Sequence, residues 1–169
     1  MFRLLIDASL LAVVLGMKCP GSPSFFHASA EVVAIADASC ADVKEEMLGR
    51  VQSSPWTDPH NAGTYSVLPS KLSSQLDFSR LTGDKKYTDK LTITLADASG
   101  KCMIMGCSES QVFSIFDFST NFCNLRNLYC GPSDGCQPVK HDFRVVESRV
   151  TASPGAGSDA KSCITTLTL

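Results

Sequence analysis

Eight cysteines in a 169-residue chain limit its folding more than any other feature. They stand at 19, 40, 102, 107, 123, 130, 136 and 163, and five of them crowd into Lys101–Cys136. The gaps within this group (x4, x15, x6, x5) do not match the x2–4 spacing of structural zinc pairs. Disulfides are the better reading, and disulfides persist in oxidising compartments. The N-terminus agrees. Arg3 precedes a mostly apolar run, Leu4–Met17, broken by Asp7. At 14 residues it is short for a membrane span, which needs about 20, and it suits the apolar region of an export leader. A small-x-small pattern at Ala28-Ser29-Ala30 marks a cleavage site, so residues 1–30 read as signal peptide and 31–169 as one secreted disulfide-rich domain; Asp7 in the run and the long approach from Lys18 to Phe26 leave an uncleaved anchor, or cleavage nearer Gly21, as alternatives. A buried helix is the alternative for the run, and Pro20, Gly21 and Pro23 oppose it.

Cleavage after Ala30 removes Cys19 and leaves seven cysteines. Cys40, isolated near the new terminus, is then the odd one, free for an intermolecular disulfide with a partner. The other six, Cys102, Cys107, Cys123, Cys130, Cys136 and Cys163, give three bridges. Spacing restricts the pairs. Five residues along a strand separate Cys102 from Cys107 by about 16 Å, beyond the roughly 4.4–6.8 Å between bridged Cα atoms. Cys123 and Cys130 are about 10 Å apart on a helix. Cys102 and Cys107 are therefore expected to bond to the Cys123–Cys136 group or to Cys163. By restricting the unfolded chain, each bridge contributes about 2–4 kcal/mol.

The remaining pattern is mainly β. The segment Lys90–Ala96 alternates, with Leu91, Ile93 and Leu95 on one face and Thr92 and Thr94 on the other. Asp97–Gly100 is a tight turn, and Cys102–Cys107 returns as the partner strand. Gly63–Leu68, Leu76–Leu81 and Phe143–Val150 read as further strands, and Glu31–Ser39 as a strand or a surface leader. Aromatic and β-branched residues favour strand over helix for Gln111–Phe118. One short helix spans Ala41–Val51, capped by Asp42 with Glu45 completing a capping box. Val43, Met47, Leu48 and Val51 share its apolar face, and Lys44, Glu45 and Arg50 turn away. The prediction is an antiparallel meander, as open barrel or sandwich, stapled by disulfides, with an α+β arrangement as the alternative.

A meander that opens near a tryptophan, Trp56, behind an export leader resembles the lipocalins. The resemblance implies a lipocalin-like open barrel. Ser54 stands where lipocalins carry a glycine two residues before that tryptophan.

Composition removes several function classes. Charged residues are only 19% and the formal charge is -2, without the basic patch of a nucleic-acid binder. No G-x-S-x-G elbow, phosphate-binding glycine loop or HExxH occurs, so no cofactor and no metal are assigned. One loop concentrates chemistry. Trp56, Asp58, His60 and Asn61, with Tyr65 just beyond, place an aromatic, a carboxylate, an imidazole and an amide between Pro55 and the start of a strand. These five are the candidate ligand-binding residues. Asp58, His60 and His141 are the candidate catalytic ones, and a carboxylate pair among Asp58, Asp77, Asp84, Asp117 and Asp142 has the chemistry for glycoside hydrolysis. The favoured function is an extracellular binding or interaction module for a ligand or protein. A small secreted hydrolase using the Asp/His loop is the alternative.

Overall fold

Alternating patterns in the chain become one antiparallel sheet. The computed structural model describes residues 17–53 and 56–164. The apolar run as far as Gly16, Ser54, Pro55 and the last five residues lie outside them. Six strands, β1 (Ser29–Ala36), β2 (Thr64–Leu68), β3 (Gln75–Leu81), β4 (Thr88–Ala98), β5 (Lys101–Ser110) and β6 (Val145–Ala152), lie in the order β2-β3-β4-β5-β1-β6. The expected meander is β2–β5. Its cleanest strand is longer than predicted, and Leu91, Ile93 and Leu95 are buried as the alternation requires. The β4–β5 turn is two residues, Ser99 and Gly100, both at positive φ (52° and 82°), the geometry that suits a tight hairpin.

The sheet does not close. β2 and β6 are open edges, so neither a barrel, a sandwich nor the lipocalin-like arrangement forms. Among the described residues the class is mixed and mostly β, with two α-helices: α1 (Cys40–Gln52) and α2 (Thr120–Arg126). Both contribute to a core on one face of the sheet, built on Val32, Ala34, Phe78, Leu91, Ile93 and Ile104 from the strands and Val43, Met47, Phe122 and Leu125 from the helices. Burying each larger side chain contributes about 1.5–3 kcal/mol. The opposite face carries a smaller cluster, Val33, Met103 and Met105, onto which Met17 packs. With both faces covered, β1 is apolar almost throughout rather than alternating.

Several expectations are corrected. The α1 cap is Ser39, whose hydroxyl accepts from the Asp42 amide at 3.2 Å; Asp42 lies inside the first turn. Arg50 does not turn away but is buried beside Glu46. Gln111–Phe118 is a loop, not a strand, and α2 follows it. Upstream of Glu31, β1 already starts at Ser29, and the 17–28 segment packs onto the sheet through Met17 and Cys19.

Four disulfides form, not three: Cys19–Cys107, Cys40–Cys102, Cys123–Cys163 and Cys130–Cys136, with Cα separations from 4.8 to 5.7 Å. Cys40 is therefore paired within the chain. As the spacing required, Cys102 does not bond to Cys107, nor Cys123 to Cys130. Cys102 and Cys107 nonetheless reach Cys40 and Cys19 rather than the C-terminal group. Five residues along a strand is an odd step, so the two point to opposite faces. Cys102 meets the start of α1 on the core side, and Cys107 meets the N-terminal strap.

Candidate ligand-binding site

Strand alternation assembles the site. In β3, Leu76, Phe78 and Arg80 share the core face, and in β4 so do Asp89, Leu91 and Ile93. Register sets Arg80 opposite Asp89, and Asp89 opposite Ser110 of β5. A polar row therefore crosses three strands at one end of an otherwise apolar core. Arg80 and Asp89 were not among the residues expected from sequence. Their in-phase position with the buried leucines was the signal that could have found them.

The loop singled out in the sequence closes around Arg80. Asp58 pairs with the Arg80 guanidinium and accepts from Asn127 Nδ2 at 2.8 Å and from the His60 amide at 3.1 Å. Arg80 Nη2 also donates to the His60 carbonyl and to Asn61 Oδ1, both at 2.7 Å. Nη1 lies 4.0 Å from Asp89 Oδ2. His60 is buried. Its Nδ1 donates to the Ser162 carbonyl at 2.8 Å, which fixes the tautomer, and Thr120 Oγ1 faces its Nε2 at 3.1 Å. Tyr65 lies under the guanidinium, 5.6 Å from ring centroid to Cζ, and against Trp56 at 5.9 Å. Its hydroxyl donates to the Asn124 carbonyl, and burial first, then the Asp58 charge, pushes the phenol well above its ordinary pKa. Trp56, Asp58, His60, Asn61 and Tyr65 are thus brought together, with most of their polar atoms directed inward. His141 is not among them. It hydrogen-bonds to Glu45 and Glu46 on α1 and, among the described residues, shares no partner with His60.

A hydrogen-bonded chain continues from this cluster. Asp89 accepts from Ser110 Oγ and Asn124 Nδ2, both at 2.8 Å. Asn124 also donates to Ser108, whose hydroxyl donates to Asn121. Asn121 in turn donates to Ser110 and to Asp117. Asp117 accepts from the amides of Ser119, Asn121 and Gly157 as well. These bonds pin the 111–119 loop through two consecutive left-handed residues, Phe118 (φ 50°) and Ser119 (φ 69°). Such conformations cost about 1–3 kcal/mol each and persist where the surroundings over-determine them.

Above the chain opens a cavity of about 380 Å³. Asp89, Ser110, Asp117 and Thr120 form its polar floor, and Tyr87, Phe116 and Phe118 its apolar wall, with Asn61, Thr82 and Asp84 also lining it. Asp84 and Asp117, two of the carboxylates noted in the sequence, meet here; Asp89 joins them. Among the described residues no lysine or arginine lines the cavity. Burial pushes the Asp89 carboxyl up, and the Asn124 and Ser110 hydrogen bonds and Arg80 only partly offset it. Asp84, at the surface, is held below the usual carboxylate range by the Thr82 hydroxyl and the Lys86 amide. The wall is conspicuously exposed: Phe116 and Phe118 are 73% and 81% accessible. Phe25, Phe26 and Phe113 add to the same end, where the Ser114 amide donates to the Phe26 carbonyl.

A second cavity, about 260 Å³, lies between Arg50, Trp56, Pro59, Asn127 and Gln137. The Cys19 and Cys107 sulfurs lie close to Glu31, but they are bonded to each other and offer no thiolate to a metal. Among the described residues no helix is long and apolar enough to cross a membrane. Comparisons with protein-family models, curated proteins and solved structures give no match.

Proposed function

We propose that this protein is an extracellular binding module that takes an organic cation, an ammonium or guanidinium on an apolar body, into the Tyr87/Phe116/Phe118 cavity. Four disulfides and the apolar leader support the compartment. The observation that carries the ligand class is the lining itself: among the described residues, three carboxylates, three aromatic rings and no lysine or arginine, with Lys86 beside Asp84 and Arg80 behind Asp89 outside it. Aromatic faces add about 0.5–2 kcal/mol to a bound cation, more as water is excluded. Binding is preferred to hydrolysis because Asp58 and His60 direct their polar atoms to Arg80, Asn127, Ser162 and Thr120.

The test uses three probes of one shape: 2-phenylethylammonium, 2-phenylethanol and 3-phenylpropionate. Amide shifts of Asn61, Tyr87, Ser114 and Thr120 are followed by NMR. The ammonium probe is expected to bind saturably and about tenfold tighter than the alcohol, a difference of about 1.4 kcal/mol. The Phe116→Ala/Phe118→Ala variant, which removes exposed rings only, is expected to keep the fold and lose the preference. Equal binding of all three probes, or none, refutes the proposal.

A further inference from the structure

We infer that the export leader is removed at the Gly16–Met17 bond, upstream of Cys19, and that residues 17–30 remain as a strap built into the domain. The inference rests on the export reading above but concerns a different site. Hydrolysis there adds one water across the peptide bond, leaving a carboxylate on Gly16 and an amine on Met17. Val14 and Gly16 occupy the third and first positions before that bond, where compact residues suit leader cleavage.

The case lies in what a later cut would remove. Cleavage precedes folding, so the burial of Ala28 and Ala30 would not protect them; the remaining chain would simply lack them. A chain starting at Glu31 loses Cys19 and leaves Cys107, fully buried, without its partner. It loses Met17 from the cluster on Val33, Met103 and Met105. It also loses Ser29 and Ala30 from a strand paired on both sides, Ala30 facing Ser108 in β5 and Ala152 in β6. The Ala28 carbonyl, which accepts from the Ser110 amide and Asn121 Nδ2, disappears as well. So do the strap's own bonds: Gly21 N to Glu109 at 2.6 Å, Ser22 Oγ to the Ser110 carbonyl at 2.7 Å, and His27 to Glu109 at 3.2 Å. The buried Ser110 amide would then lack its partner, at about 1–3 kcal/mol. The cysteine count is consistent, since eight residues pair and seven cannot.

The experiment expresses the full chain with its own leader in a eukaryotic secretory host. N-terminal sequencing and intact mass of the exported protein are read with and without reduction. The expected terminus is Met17, with two hydrogens gained on reduction for each of four bridges and a cross-linked peptide joining Cys19 to Cys107. An exported protein beginning at Glu31, at any residue after Cys19, or at Met1 overturns the inference and leaves the export reading standing; failure of export overturns both. A second chain, starting at Glu31 behind a foreign leader, separates processing from folding. Its yield is expected to fall about tenfold through loss of stability. Equal yield with an unchanged melting temperature would show that the strap is dispensable and overturn its structural role.

Discussion

Asp58→Asn tests the buried cluster behind the cavity. Asparagine preserves the shape, and its carbonyl can still accept from Asn127 Nδ2 and the His60 amide. Its amide nitrogen, however, faces Arg80 Nε and Nη2, donor against donor. Arg80, fully buried, keeps two neutral acceptors and a single nearby charge, Asp89 at 4.0 Å. Removing one partner of a buried ion pair costs about 3–5 kcal/mol. At an effective dielectric of about 20, a counter-charge near 4 Å retains roughly 4 kcal/mol of attraction, so Asp89 softens the loss and the lower end, about 3 kcal/mol, is expected. For a domain of this size that lowers the melting temperature by about 6–12 °C. Urea unfolding with the disulfides intact, followed by fluorescence of the single tryptophan, Trp56, measures the change. The double variant Asp58→Asn/Arg80→Met removes the charge together with its partner and is expected to be less destabilised than Asp58→Asn alone. The reasoning fails if Asp58→Asn lies within about 1 kcal/mol of wild type, or if the double variant loses the sum of the two single losses.

Two further predictions address the supports of the site. Although burial opposes it, the amides of His141, Val139 and Lys140 together with Arg50 hold the Glu46 carboxyl below its usual range. A lowered carboxylate contributes stability that is complete above its unfolded value, near 4.5, and is lost as pH falls through the folded one. Glu46→Gln should cost about 3 kcal/mol at pH 7 and flatten the acid limb below pH 4.5, which urea midpoints across pH 2–7 would show; a variant with the wild-type limb contradicts this. At Gly63 an added Cβ would overlap Arg80 Cζ and Nη2. Gly63→Ala therefore displaces the guanidinium from Asp58 and should cost about 2–4 kcal/mol, measured by the same unfolding curves; a neutral result would show that the cluster is loose.

The sequence by itself determined the local pieces. Period-2 alternation located β4, the Asp97–Gly100 turn located its partner, and helical spacing located α1, because each depends on residues adjacent in the chain. The cysteine spacing excluded Cys102–Cys107 for the same reason. It also contained, unread, the odd step that sends the two sulfurs to opposite faces. The Gln111–Phe118 loop resembles a strand in sequence because it is rich in aromatic and β-branched residues; here Phe116 and Phe118 rim a cavity instead of packing a sheet. Of the site, the loop from Trp56 to Tyr65 was legible as a concentration of polar chemistry. Its role was not, since Asp58 and His60 acquire theirs from Arg80, Thr120, Asn127 and Ser162, all far along the chain. Only the tertiary structure decided which face is covered, which cysteines meet, that the 17–30 segment packs onto the sheet, and that Asp84, Asp89 and Asp117 line one cavity. These are questions of register and of distant contacts, and alternation within a strand gives the side of the sheet without giving the neighbour across it.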